Sequence, residues 1–388
     1  MSLSMTEVIS QLAQCESYRL TADIANRVYH RGGGESLVAE TVKARCIRMG
    51  EEISSEYLSE AREILETYGI DGETGIIDNR SCIPESVRTP LLPAPLSDEQ
   101  ITEIVAVCNE DRSGSERIMH TEKVANTEAS ASGCVYICVD DIGVKHQKEK
   151  REKGYLKERK YVENTVIHIQ CGEMQQTLTA IGMRKAFLLL VAFLLANGLM
   201  EDRRLIFLTD GAKNIREYIT AFFGFREYTL ILDWLHLKKK CKELLSMAVK
   251  GRGKTKQERK EDKGRIVGSL LRILWSGNAP EAIGYLDMLD EGNINSLSWM
   301  EQLKDYIARK QEDIACYALR HKLGLRISSN RVEKANDMLV AGRQKHNGMS
   351  WSSKGSGALA VIAAIRVNGK LHGWLRGKKK LMDIKEAA

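Results

Sequence analysis

The sequence predicts a mixed α/β fold, a sheet of strands interleaved with helices that carries a helical insertion and follows an N-terminal helical region. Three observations lead there. Between residues 131 and 233 the apolar runs come in the order β, β, β, α, β, α, β. The first and fourth strands each end on an aspartate, Asp140 and Asp210. A stretch without strand signal, 238–322, then separates the sheet from an amphipathic helix that bears Glu333. Consecutive hairpin partners followed by alternating helices make a mixed sheet rather than a barrel or a bundle.

Taken in order, residues 5–30 read as helix, with Val8, Leu12, Leu20, Ile24 and Val28 among the apolar positions. RGGGES is a turn by its glycines. The next segment has helical periodicity and carries Lys43, Arg45 and Arg48, so that helix, short turn and cationic helix draw the outline of a helix-turn-helix; an ordinary helical hairpin has the same outline. A further helix is expected near 56–68. Four of the five prolines fall between residues 84 and 95, which marks a connector over 71–130. CVYICV (134–139) is a short β-branched run. YVENTVIHIQ (161–170) and MQQTLTA (174–180) alternate as strands do, with Cys171 and Gly172 at the turn between them. Residues 184–200 read as a buried helix; their apolar core of fifteen residues, 186–200, falls short of the roughly 20 that span a bilayer. LIFLTD (205–210) and YTLILD (228–233) are buried strands flanking an amphipathic helix over 212–224 that Gly224 closes. Residues 238–265 hold 12 Lys or Arg against 4 Asp or Glu, and GRGKTKQERKEDKGR within them reads as an exposed loop or helix end. Residues 325–342 read as a helix capped by Ser328 or Ser329, with Val332, Ala335, Leu339 and Val340 as its buried stripe. This order, with its two strand-end aspartates, is that of the ribonuclease H-like fold. The expected division is a helix-turn-helix-like DNA-binding region over 1–70, the connector, a catalytic domain over 131–368 with its insertion at 238–322, and a basic tail over 369–388.

Bulk properties bound the function. The chain has 388 residues, a formal charge of +6 and a hydrophobic fraction of 43%, which describe a globular protein whose mild basicity is compatible with nucleic acid. Nine cysteines without a CxxC pair support neither a disulfide framework nor a zinc ribbon. They predict reduced thiols in a cytoplasmic protein, and the N-terminus lacks the pattern of a signal peptide.

Three carboxylates suit phosphodiester chemistry. Two Mg²⁺ ions held about 3.5–4 Å apart can activate water and neutralise a leaving oxygen. Mg²⁺ takes hard oxygen ligands and keeps several waters, so few carboxylates suffice; Mn²⁺ is the expected substitute. Asp140, Asp210 and Glu333 are the candidates, and only a fold that returns the late helix to the sheet could unite Glu333 with Asp210 across 123 residues. Asp141 competes with Asp140, because neighbouring strand residues point to opposite faces; Asp140 is preferred.

VYICVDDIGVK, LIFLTDGAKNIREYI, LILDWLHLKKKC and the run from Ser328 to Arg366 resemble the DDE transposases of bacterial insertion sequences, nearest to the Kra-type and Lre-type groups. The resemblance spans about 131–368. It implies a ribonuclease H-like domain with a helical insertion, metal-dependent DNA strand cleavage and strand transfer, and Asp140, Asp210 and Glu333 as metal ligands. The family has Gly after the first Asp, where this chain has Asp141. Asp233 and His236, in the Asp-Trp-x-His stretch, are candidates for a supporting contact to the metals or for a purely structural role. The implied partner is double-stranded DNA, both terminal repeats and target, bound by a homodimer or larger assembly, with no membrane involved.

DNA is held mainly through its phosphates. Arg343, Lys345 and His346 follow the Glu333 helix and are the expected phosphate contacts, with Lys43 and Arg45 in the N-terminal reader. Basic runs at 144–160, 238–265 and 376–380 are further candidates, and Trp351 is either a stacking platform or core. Two rivals share the carboxylates: a ribonuclease H-like nuclease that does not transpose, and a DNA-binding regulator with an inactive catalytic domain.

Overall fold

The computed structural model describes residues 2–29, 36–78, 80–91, 96–119, 133–147, 160–345, 349–377 and 380–384. Three helices lead: α1 (Leu3–Leu12), α2 (Tyr18–Val28) and α3 (Ala39–Thr67). Ser2 and Ser17 cap the first two, each accepting a hydrogen bond from the backbone of the third residue on. Asn26 closes the α2–α3 connection by bonding both the N–H and the C=O of Leu37, each at 2.9 Å. The turn RGGGES lies almost wholly outside the described residues. Contrary to expectation, no break separates 53 from 56. Nothing between them is a helix breaker, and Ile53, Tyr57, Ala61 and Leu65 continue one buried stripe through a single long helix.

Helix α4 (Asp98–Asn109) starts with a reciprocal Ser97–Gln100 cap. The sheet follows: β1 (Cys134–Lys145), β2 (Tyr161–Cys171), β3 (Met174–Ile181), then α5 (Met183–Ala196), β4 (Arg204–Thr209), α6 (Lys213–Phe223) and β5 (Thr229–Leu232). The two-residue turn between β2 and β3 places Gly172 at φ 53°, a conformation glycine adopts freely. The strand order is β3-β2-β1-β4-β5. β2 runs antiparallel to both its neighbours, whereas β1, β4 and β5 are parallel. Parallel neighbours need crossovers, which α5 and α6 supply. This is the ribonuclease H-like sheet, with its seven elements in the expected order; β1, however, does not end at Asp140 but runs on to Lys145, because Asp140–Lys145 continue to pair with Val166–Tyr161 of β2.

Helix α5 is apolar on every side because every side is covered: it lies on β2 and β3, with α3 and α6 against it. No described helix is long and apolar enough to cross a membrane.

The insertion comprises α7 (Trp234–Ala248), α8 (Lys256–Trp275), α9 (Ala279–Asp287), α10 (Leu297–Lys310) and α11 (Tyr317–Lys322). The basic stretch read as an exposed loop or helix end is both: a loop as far as Lys254 and a helix from Lys256 onward, where Thr255 and Glu258 form a capping box. Helix α12 (Asn330–Asn336) carries Glu333 and continues through a π-helical segment, Asp337–Ala341, into a last turn at Gly342–Gln344. It starts five residues later than the periodicity suggested, and Ser329 gives no side-chain cap. Its hydroxyl is engaged elsewhere, as described below. Helices α13 (Ser353–Val367) and α14 (Leu371–Leu375) follow, α13 packing on α3 and β3. One contiguous core draws residues from Met5 to Met382, so α1–α3 bury their stripes in the same interior as the sheet, while a second, smaller cluster joins α4 to α11 through Ile101, Ile118 and Leu319. None of the nine cysteines is in a disulfide.

Candidate active site

Asp140 and Asp210 stand at the same level on adjacent strands. Cys138 of β1 pairs with Leu208 of parallel β4, and each aspartate lies two residues further on. Two carboxylates brought together at the edge of the interior repel each other. Burial and the negative charge of Asp210 push the Asp140 carboxyl up to about 6. Beyond Asp210 the chain must turn sharply: Gly211 adopts φ 82°, and the N–H of Ala212 donates to Asp210 Oδ1 at 2.8 Å. Lys310 of the insertion clamps this turn by donating to the Gly211 carbonyl at 2.5 Å.

Helix α12 returns to this end of the sheet. Asn336 Nδ2 donates to Asp140 Oδ2 at 2.6 Å, across 196 residues of sequence. Glu333 precedes Asn336 by three residues and so lies on the same helical face. Its Oε1 stands 3.9 Å from His236 Nε2. The stripe Val332, Ala335, Leu339 and Val340 is buried, as its spacing predicts. Of the two consecutive aspartates, Asp140 is the one that faces α12. Asp141 accepts a hydrogen bond from Thr165 at 2.6 Å.

Asp233 is fully buried and anchors three elements. It ends β5, caps α7 by accepting the backbone N–H of His236 at 2.8 Å, and accepts both the N–H and the hydroxyl of Ser329, just before α12. Burial alone would raise its pKa, but the bonds from His236 and Ser329 outweigh burial and hold the carboxyl below the usual range. With its oxygens occupied, Asp233 is a joint rather than a ligand. The Asp233 contact holds His236 above the ordinary histidine range against partial burial, and the charges of Asp210 and Glu333 act in the same direction. The charges around His236 thus favour its protonated form. His236, Lys239, Lys240 and Glu243 occupy one face of α7 and, with Asp210 and Tyr306, line an open cleft.

Asp140, Asp210 and Glu333 thus border one region, although among the described residues no three His, Cys, Asp or Glu side chains converge into a metal-holding group. Glu333 is turned towards His236, and one oxygen of Asp140 is engaged by Asn336. The donors suit Mg²⁺ in kind: hard carboxylate oxygens whose mutual repulsion a divalent cation would relieve.

The expected phosphate contacts fare differently. Arg343 is buried. Its Nε donates to the Ala13 carbonyl at 3.1 Å, and its guanidinium lies over the rings of Trp351 and Tyr18, 4.9 and 5.5 Å from their centroids. The expectation that it holds phosphate gives way to a structural role, bolting the α1–α2 corner to the chain beyond Glu333. Trp351 is core, its indole N–H donating to the Gln344 carbonyl at 3.1 Å. Lys345 is exposed, and His346 lies outside the described residues. On α3, Lys43 is exposed and Arg45 half-buried, and neither lines the cleft. Most of the basic run 144–160 lies outside the described residues, as do Lys378 and Lys379 of the tail.

Asn336 and Ser329 were missed as site residues by sequence reasoning. The one available signal for Asn336 was its i+3 spacing from Glu333.

No protein-family model matches the chain, and no curated protein matches it. Among solved structures it is similar to the Drosophila P element transposase in its strand transfer complex, at 11% identity and a TM-score of 0.24, over 92% of this chain and 85% of that chain. A likeness at that level carries no argument.

Proposed function

We propose that this protein is a DNA transposase of the DDE type that cleaves DNA strands and joins them to target DNA with divalent metal ions. The observation that carries the reading is the convergence at one sheet end of Asp140 and Asp210, level on parallel strands, with the helix of Glu333 tied to Asp140 through Asn336. In this reading Asp140, Asp210 and Glu333 supply the oxygens that hold Mg²⁺ or Mn²⁺. Bound metal would activate the attacking hydroxyl and neutralise the leaving oxygen. The chain's own residues do the remaining work. Asn336 fixes the direction of the Asp140 carboxyl. The Asp233–Ser329 bonds set the position of α12. His236 stands beside Glu333 at 3.9 Å, and Lys239 and Lys240 present cations to DNA phosphates along the cleft.

The test uses labelled DNA taken from the sequences on either side of the gene, searched for inverted repeats, with a target plasmid and Mg²⁺ or Mn²⁺. Joined product is expected. Asp140→Ala and Asp210→Ala should each reduce it about a hundredfold or more, with DNA binding retained. Nicks without joining would instead mark a nuclease. Binding without any cleavage by the unaltered protein would mark a regulator.

A further inference from the structure

The cleft beside Asp210 is lined from two directions. One side is the turn Asp210–Ala212 beyond β4; the other is the helical insertion, which supplies residues of α7 and, from α10, Tyr306. Tyr306 owes its place to the way α10 is held. Leu303 and Ile307 are buried, and α10 packs on α7. Lys310, four residues on and so on the same helical face as Tyr306, donates to the Gly211 carbonyl at 2.5 Å. The phenol is thereby kept next to the turn that carries Asp210.

Tyr306 is half-buried. Among the described residues nothing hydrogen-bonds its hydroxyl, yet the oxygen is not sealed in: it reaches solvent. A phenol keeps its proton at neutral pH, and nothing around Tyr306 would remove it, since burial, then the nearby Cys241, Asp210 and Asp233, shift it further upward. The cleft thus offers an unused O–H donor together with two exposed cations, Lys239 and Lys240, against one further carboxylate, Glu243. Donor and cations together suit an anion with free oxygens.

We infer that Tyr306 is a direct substrate contact, its hydroxyl donating to a non-bridging oxygen of a backbone phosphate on the strand bound at Asp210. The inference rests on the proposed strand-cleaving activity and gives the insertion a part in it. Helix α10 steadies the Asp210 turn through Lys310 and, one turn earlier, fixes the phosphate beside that turn. No bond is made or broken at Tyr306.

The test is single-turnover cleavage by the full chain in Mn²⁺, unaltered and as Tyr306→Phe. Backbone phosphates near the cut are replaced one at a time by separated stereoisomers of methylphosphonate, in which a methyl group stands for one non-bridging oxygen. On unmodified DNA, Tyr306→Phe should lower the efficiency (rate over half-saturating DNA concentration) about 10–100-fold, as expected for one lost hydrogen bond to a charged group. Its thermal midpoint and Mn²⁺ affinity should stay those of the parent. At one phosphate the methylphosphonate should impair the unaltered protein by a similar factor and the Phe variant hardly further, because both changes remove the same bond. Losses that multiply at every phosphate would mean a packing role and overturn the inference. A Phe variant as efficient as an active parent would refute the contact alone. An unaltered protein that cleaves no DNA would refute the activity, and the contact would fall with it.

Discussion

Asn336 and Arg343 lie seven residues apart and exchange the roles that their side chains suggest. The amide reaches the candidate metal ligand, and the guanidinium is locked inside. Removing the Asn336 amide should leave Asp140 free to rotate and leave one of its buried oxygens unpaired. We expect Asn336→Ala to weaken Mn²⁺ binding about 10–100-fold, the range typical when a residue orienting a metal ligand is lost, read by titration calorimetry with the fold checked by circular dichroism. An unchanged affinity would make the Asp140 contact incidental. Neither role was legible locally. Charge announces Arg343 as a phosphate binder but says nothing of burial, and the Asn336 bond spans 196 residues. A second residue-scale prediction concerns His168, which burial, then the charges of Arg326 and Arg331, push down to about 4. Its ring shares only a 3.3 Å contact with Thr177, and Nε2 has no partner. The folded state therefore holds the neutral imidazole while the unfolded chain takes up a proton, so stability present above pH 6.5 is lost as pH falls towards 4. The advantage of the unaltered protein over His168→Gln should shrink by about 3 kcal/mol across that window, measured by urea unfolding. A constant difference would show that His168 titrates normally.

At the scale of elements, the sheet was legible almost residue by residue. Unbroken apolar runs in β1, β4 and β5 follow from the covering of both faces; alternation located β2 and β3, although their polar positions, among them Asn164, His168, Gln176 and Thr177, are buried as well. Helix boundaries were less so. The α12 start depends on Ser329 turning to Asp233, and α3 runs unbroken through 53–56 because its buried stripe continues there. Gly50, inside that helix, makes its packing testable. Because its missing Cβ admits the backbone of Ala358, Gly50→Val should force α3 and α13 apart and destabilise the fold by about 1–3 kcal/mol, the usual cost of overpacking. A lowered denaturant midpoint with unchanged slope is the expected reading. If the variant were as stable as the parent, the α3–α13 crossing would be looser than the structure has it.

The whole molecule departs most from what the sequence suggested, because a pattern of helices cannot say whether they form a separate reader or a layer of the main body. Helix α3 covers α5 and α13, and Arg343 reaches from the far side of Glu333 to the α1–α2 corner. Val42, Cys46, Met49, Ile53, Tyr57, Ala61 and Leu65 supply one side of the common core. Deleting residues 1–67 would bare the faces of α5 and α13 that they cover. It would also strand the buried guanidinium of Arg343 without the Ala13 carbonyl, and an unpaired buried charge is among the costliest defects a core can carry. The truncated chain should therefore lose cooperative unfolding and expose apolar surface, seen as a broadened calorimetric transition and binding of a hydrophobic dye. A soluble 68–388 fragment with a sharp transition near that of the intact protein would instead mean that the N-terminal helices are a separable module, and the shared core would have to be given up.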